Sequence, residues 1–226
     1  MWHGIGRRLY NRTKAVNREH ETPAQNVKCN PDEPVKAENI QKAVRIHTPL
    51  TDEICTALRA GDAVLLSGTV FTARDVAHRR ISEALQRGEG PPVPLEGETI
   101  FYAGPTPAPP ARTIGSVGPT TSGRMDIYTP ALLDAGLKGM IGKGKRSAAV
   151  REAIRRNRAV YFAAIGGVAA LLSRCVTAAE VIAYEDLGTE AIRRLSIADF
   201  PLIVINDPEG RDLYEEVMKN VCDRQS

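Results

Sequence analysis

From Thr48 onward, apolar residues along the chain follow two alternating rhythms. Short uninterrupted apolar runs mark strands buried on both faces, and three-to-four spacings mark amphipathic helices. The stretch "TPLTDEICTALRAGD" opens a helix with Thr51 as its N-cap, acids in its first turn and Gly61 as its stop. A buried strand is predicted over Ala63 to Leu66, breaking at Ser67-Gly68. Helical spacing follows Arg74, with Asp75 as cap and Ala77, Ile81 and Leu85 on one face. Then come a loop ("PPVPLEG"), a strand ("ETIFYAG"), a proline-rich link and a short strand ("RTIGSVG").

The second half repeats the alternation. "IYTPALLDAG" predicts a short helix, "KGMIGKG" a strand, "SAAVREAIRRNR" an amphipathic helix and "AVYFAAIGG" a buried strand. "VAALLSRC" predicts a helix, "AAEVIAYED" and "DFPLIVIND" further strands, and "LYEEVMKNVC" a closing helix. No internal repeat is visible. Strands alternating with helices predict one α/β domain with a central mixed sheet flanked by helices. Residues 1–46 lack periodicity and are rich in Arg, Asn and Pro, which predicts a flexible N-terminal extension ahead of a domain over 47–226.

Composition adds bounds. Of 226 residues, 42% are hydrophobic, enough for a sizeable core, and no apolar run is long enough to span a membrane. The net charge of +3 resides in the first 28 residues, where six basic residues face Glu19 and Glu21; nucleic acid is therefore not an expected partner. Cys29, Cys55, Cys175 and Cys222 are widely spaced and include no C-x-x-C pair, which argues against a metal-ligand set in this chain and for unpaired thiols in the cytoplasm. Cys175 is expected to serve packing in its apolar run.

The candidate chemistry lies where strands stop. "SGTVFTARD", "GPTTSGRMD" and "GKG" each follow a buried run with small residues and then a cation: Arg74, Arg124 and Lys143. Ligands of open α/β sheets gather at such strand ends. With the hydroxyls of Thr120, Thr121 and Ser122, these cations suit an anionic small molecule bearing carboxylates or phosphates. "GKG" lacks the frame of a P-loop. His78 reads as helix packing or capping. Gly166 and Gly167 read equally as an anion-binding helix start or as close strand–helix packing. Lys145, Arg146, Arg151, Arg155, Arg156 and Arg158 read as a solvated helix face.

Five stretches in order resemble the β subunit, or C-terminal domain, of class I iron–sulfur fumarases and the related tartrate dehydratases. They are "LSGTVFTARDVAHRR", "GPTTSGRMD", "MIGKGKRS", "VYFAAIGGVAALL" and "FPLIVINDPEGRDLYEE", and the resemblance covers about 48 to 218. It implies a swivelling β/β/α domain, a dicarboxylate substrate and a [4Fe–4S] cluster carried by a partner α subunit, with no metal ligand in this chain. It also implies Arg74, Arg124 and Lys143 as substrate-binding residues, and Thr120 as the group that handles the proton at carbon. The assembly implied is heteromeric and admits a homodimer within a heterotetramer. Fumarate hydration to (S)-malate is the leading expectation, with "SGRMD" favouring it. The alternatives are a tartrate dehydratase or mesaconate hydratase β subunit, and a non-catalytic dicarboxylate-binding module.

Overall fold

The computed structural model describes residues 43–110, 112–164 and 167–223. Most of the expected N-terminal extension, and Gly166, lie outside the described residues. Strands are β1 (Val44–His47), β2 (Ala63–Thr72), β3 (Thr99–Phe101), β4 (Gly139–Gly142), β5 (Val160–Ala163), β6 (Val176–Ala183) and β7 (Ile192–Asn206). Helices are α1 (Asp52–Ala57), α2 (Asp75–Gln86), α3 (Thr129–Asp134), α4 (Ala148–Arg156), α5 (Ala169–Leu172) and α6 (Leu213–Asp223).

The sheet order is β1-β2-β3-β4-β5-β7-β6, with a further pairing of β2 to β7. Strands β1 to β5 run parallel, and β7 is antiparallel to both β5 and β2. The ring β2-β3-β4-β5-β7 therefore closes on itself, leaving β1 and β6 as flanking strands. Two apolar clusters follow from the alternation of side chains across the strands. Phe101, Ile141 and Phe162 face one cluster with Val70, Leu195 and Phe200; Ile100, Met140 and Tyr161 face the other with Ala77 and Ile81 of α2 and Val150 and Ile154 of α4. Phe101 meets Phe200 edge-on at 5.4 Å, although β3 and β7 are not neighbours, so the first cluster fills the interior of the closed sheet.

Several local readings are corrected. Val44–His47, expected within the extension, forms a parallel strand; only Ile46 of the four is buried, too little for a periodic signal. Strand β2 does not break at Ser67-Gly68 but passes through a bulge, where Ser67 stands opposite Ala198 and Asp199. Gly68 holds φ +111° there, and a Cβ would overlap the Thr48 hydroxyl. Strand β7 begins well before Asp199, its first half hidden in sequence by the exposed side of "RRLS". "RTIGSVG" forms no strand; it is held by Thr106, whose amide donates to the Ser116 carbonyl at 3.1 Å and whose hydroxyl accepts from the Ser116 amide at 2.9 Å. The Thr51 cap is present, its hydroxyl accepting from Ile54 N at 3.3 Å.

This topology gathers the carboxyl ends of β2, β3, β4 and β5 on one side, where Arg74, Tyr102, Lys143 and Ala164 follow. Gly142 closes β4 in a space that admits no side chain, since a Cβ would overlap the Ser122 hydroxyl and lie 2.9 Å from Tyr102 Cδ2. Gly142→Ala is therefore expected to destabilise the fold by about 1–3 kcal/mol, the usual cost of overpacking. A lowered urea midpoint with an unchanged slope checks this.

Candidate active site

The site is built on backbone hydrogen bonds that extend the sheet beyond its strands. Tyr102 N donates to the Ile141 carbonyl at 2.8 Å, and Thr120 N to the Tyr102 carbonyl at 2.8 Å. Lys143 N donates to the Thr120 carbonyl at 3.2 Å, and Ser122 N to the Lys143 carbonyl at 2.9 Å. Thr121 and Lys143 thus form a parallel bridge, and the segment "PTTSG" lies against "GKG" as a short continuation of the sheet. Lys143 and Thr121 are exposed, and Thr120 is half-buried. The Thr120 hydroxyl donates to the Tyr102 carbonyl at 3.0 Å, which leaves its lone pairs available. Ser122 is turned inward and bonded to the Tyr161 hydroxyl at 2.9 Å.

The two arginines converge on one carboxylate. Arg74 is the N-cap residue of α2 and gives no side-chain cap; Arg124 sits in the 3-10 turn Ser122–Met125. Asp75, expected as the cap, is the first helical residue instead. Its Oδ2 lies 3.4 Å from Arg124 Nη1 and 3.8 Å from Arg74 Nε. The missing cap comes from Glu190, remote in sequence, whose Oε2 accepts from Val76 N at 3.1 Å while its Oε1 stands 3.6 Å from Arg74 Nη2. Arg74 lies along Gly104, where a Cβ would come within 2.7 Å of Nη1. Both Arg74 Nε and Asp75 Oδ2 are buried without a hydrogen-bond partner. The guanidinium pair is thus held at Asp75 Oδ2 by charge without a hydrogen bond, which leaves donors for a ligand.

Beneath this layer Arg146 is buried, which corrects its reading as part of a solvated face. Its Nε donates to Asp126 Oδ1 at 2.8 Å and its Nη2 to Thr129 Oγ1 at 2.9 Å. Its guanidinium carbon stands 5.2 Å from the Tyr102 ring centroid and 4.9 Å from that of Tyr161. The other Asp126 oxygen accepts from Ser147 N, the cap of α4, at 2.6 Å. Burial raises the pKa of the Tyr161 phenol, which stays protonated and donates to the Gly144 carbonyl at 2.9 Å. Lys145, Arg155, Arg156 and Arg158 are exposed as expected, and Arg151 is partly buried.

His78 is fully buried; its ring meets Tyr102 edge-on at 5.1 Å. Nδ1 lies 3.0 Å from the Arg74 carbonyl, while Nε2 has no partner. Burial lowers its pKa to about 4, so it is a neutral packing group beside the site.

Asp75, Glu190, Asp126 and Arg146 were not assigned to the site from sequence. Three of them stand inside the motifs "ARD", "GRMD" and "GKGKRS", and that adjacency was the available signal. Among the described residues no group of three or more His, Cys, Asp or Glu is placed to hold a metal. Cys55 is buried in α1, its pKa pushed up to about 12 by that burial, and Cys175 lies in the 3-10 turn after α5 rather than in the helix, packed against the interior cluster. These thiols do not fit a cluster site.

A family model described as Fumarase C-terminus matches residues 16–217. The chain belongs to this family. The match also begins ahead of Thr48, so the family covers part of the segment that the motif resemblance left out. Over 159 residues the chain is 38% identical to "Fumarate hydratase class I, aerobic" of Salmonella typhimurium, covering 70% of this chain and 27% of that protein. It is 36% identical over 160 residues to "Fumarate hydratase 2" of Leishmania major, covering 70% and 28%. It is also 36% identical over 181 residues to the "Putative L(+)-tartrate dehydratase subunit beta" of Methanocaldococcus jannaschii, covering 77% of this chain and 93% of that one. The chain therefore spans less than a third of these fumarate hydratases and nearly the whole of the archaeal subunit.

Two outcomes follow from the buried groups. Arg146→Ala leaves Asp126, whose side chain is 14% exposed, half-satisfied, and opens a gap against Tyr102 and Tyr161; it is expected to cost about 2–4 kcal/mol in urea unfolding. For His78, the folded pKa of about 4 lies below the ordinary 6.5, so the unfolded chain takes up the proton first. Its contribution is complete above about pH 6.5 and is lost as pH falls towards 4, on the order of 3 kcal/mol. Unfolding midpoints of wild type and His78→Phe between pH 7 and 4 should show the variant losing less stability on acidification.

Proposed function

We propose that this chain is the β subunit of an iron–sulfur hydro-lyase that adds water reversibly to fumarate, giving (S)-malate, together with a cluster-bearing α subunit. The observation that carries this reading is the convergence of Arg74 and Arg124 on one point, with an unsatisfied buried Nε, beside Thr120 and Lys143. Three cations and a hydroxyl at one end of a closed sheet suit a dicarboxylate. Membership of the fumarase C-terminus family supports the same substrate class.

In this reading Arg74, Arg124 and Lys143 bind the substrate's carboxylates. Hydration of fumarate develops extra negative charge on one carboxylate, and fixed cations stabilise that charge more than they stabilise the ground state. Thr120 handles the proton at carbon; its own proton points to the Tyr102 carbonyl, so its lone pairs are the reactive feature. In this reading a [4Fe–4S] cluster is held by the partner, where it would supply a Lewis-acidic iron for water and substrate; the separated positions of Cys55 and Cys175 are in keeping with that. The domain from β1 onward would swivel over that partner and exclude water. No helix of the described residues is long and apolar enough to cross a membrane, and a cytoplasmic location is proposed.

A second reading is favoured by a specific observation. The match covers 93% of the archaeal putative tartrate dehydratase β subunit and 77% of this chain, which supports a dihydroxy substrate as the second reading.

The test is anaerobic reconstitution with a cluster-loaded candidate α subunit, offering fumarate, tartrate and mesaconate in parallel. Turnover of fumarate that neither chain gives alone is expected. Arg124→Ala should lower kcat/KM by roughly 10²- to 10⁴-fold, the worth of two charge-assisted hydrogen bonds, without loss of fold. Wild-type activity in that variant would sink the assignment; dicarboxylate binding without turnover would indicate a binding module.

A further inference from the structure

Away from the strand carboxyl ends, the outer side of the sheet opens into a cavity of about 480 Å³ beneath the prolines that follow α2. Thr69 and Glu98, which line it, precede Arg74 and Tyr102 by roughly 13–17 Å of strand. Its apolar walls are Phe71, Ile182 and the rings of Pro49, Pro92 and Pro94. Such walls, with a few convergent polar groups, are the usual form of a small-molecule site.

The polar groups here are out of balance. Glu98 lines the cavity half-buried, and its carboxylate has neither a hydrogen-bond nor an ionic partner among the described residues. Burial raises its pKa. Arg194, the cation of the lining, donates to Glu180 at 2.6 Å, so its charge is already matched. One uncompensated negative charge therefore lines a largely apolar space. A partly desolvated carboxylate without a partner favours a ligand that supplies the opposite charge.

We infer that this cavity is a binding site for an organic cation, with an ammonium group against Glu98 and a compact apolar body between Phe71, Ile182 and the prolines. An ammonium supplies the positive charge that Glu98 lacks and donors for its carboxylate oxygens. Phe71 adds an aromatic neighbour to the lining. An anion of equal size would meet Glu98 and be rejected. The site shares no residue with the proposed substrate site, so it stands or falls independently of that function.

Amide shifts of the full chain, followed by NMR during titration with benzylamine, benzyl alcohol and benzoate at pH 7.5, test the inference. Benzylamine, protonated at that pH, should shift the amides of Thr48, Phe71 and Glu98 saturably, with a dissociation constant of about 1–10 mM for so small a ligand. The isosteric Glu98→Gln, which removes the charge and keeps the shape, should weaken it about tenfold or more while folding remains intact. Benzoate should produce no saturable shift. Absence of saturation by benzylamine, equal binding to Glu98→Gln, or equal binding of all three ligands would each overturn the assignment.

Discussion

The buried pairing of Arg146 with Asp126 is the contact on which the site's geometry depends. Asp126 ends the segment that carries Thr120 and Arg124, and Arg146 follows the turn that carries Lys143. One carboxylate thus binds the guanidinium with one oxygen and the amide of Ser147, the N-cap residue of α4, with the other. Two loops that would otherwise move separately are joined at their roots. Charge removed from water costs several kcal/mol per ion, so such a pair persists only with its hydrogen bonds filled. Here Thr129 and two tyrosine rings complete the set.

The upper layer follows another logic. Arg74 and Arg124 would repel each other in a half-buried space, and Asp75 offsets that repulsion from between them. Because Asp75 Oδ2 makes no hydrogen bond to either guanidinium, their donors are not consumed by it. Glu190 adds a second carboxylate and also caps α2, which fixes the backbone from which Arg74 projects. The loop holding Glu190 is itself clamped by Arg193, whose guanidinium donates to the carbonyls of Gly188, Thr189 and Ala191. The cations are therefore pre-positioned by groups that never need to touch a ligand.

Much of this was legible in sequence because the physics was local. Buried parallel strands appear as apolar runs, and β3, β4 and β5 were placed within a few residues. The cations were legible because small residues at strand ends leave them little else to do. What escaped depends on long-range contact. The closure of β7 onto β2 pairs residues more than a hundred positions apart, and no periodicity encodes it. Strand β1 has a single buried side chain. Glu190 caps a helix that begins 115 residues earlier, a relation visible only in space. Arg146 looked solvated because its neighbours are; its own burial comes from facing Asp126 and two tyrosines rather than from its helix.

The balance of charges bears on how the proposed substrate site could work. Arg74, Arg124 and Lys143 carry three positive charges, but Asp75 and Glu190 return two negative ones to the same face. A dicarboxylate arriving at this chain alone would meet Arg124 and Lys143 exposed in high dielectric, with the arginines partly neutralised already, where each pair contributes little. The same groups act far more strongly once water is excluded. A face so arranged is suited to binding tightly only when something closes over it. The proposed separation of duties would follow from that: this chain would supply pre-positioned cations and a hydroxyl, and closure by a second protein surface would convert them from weak surface charges into a selective site.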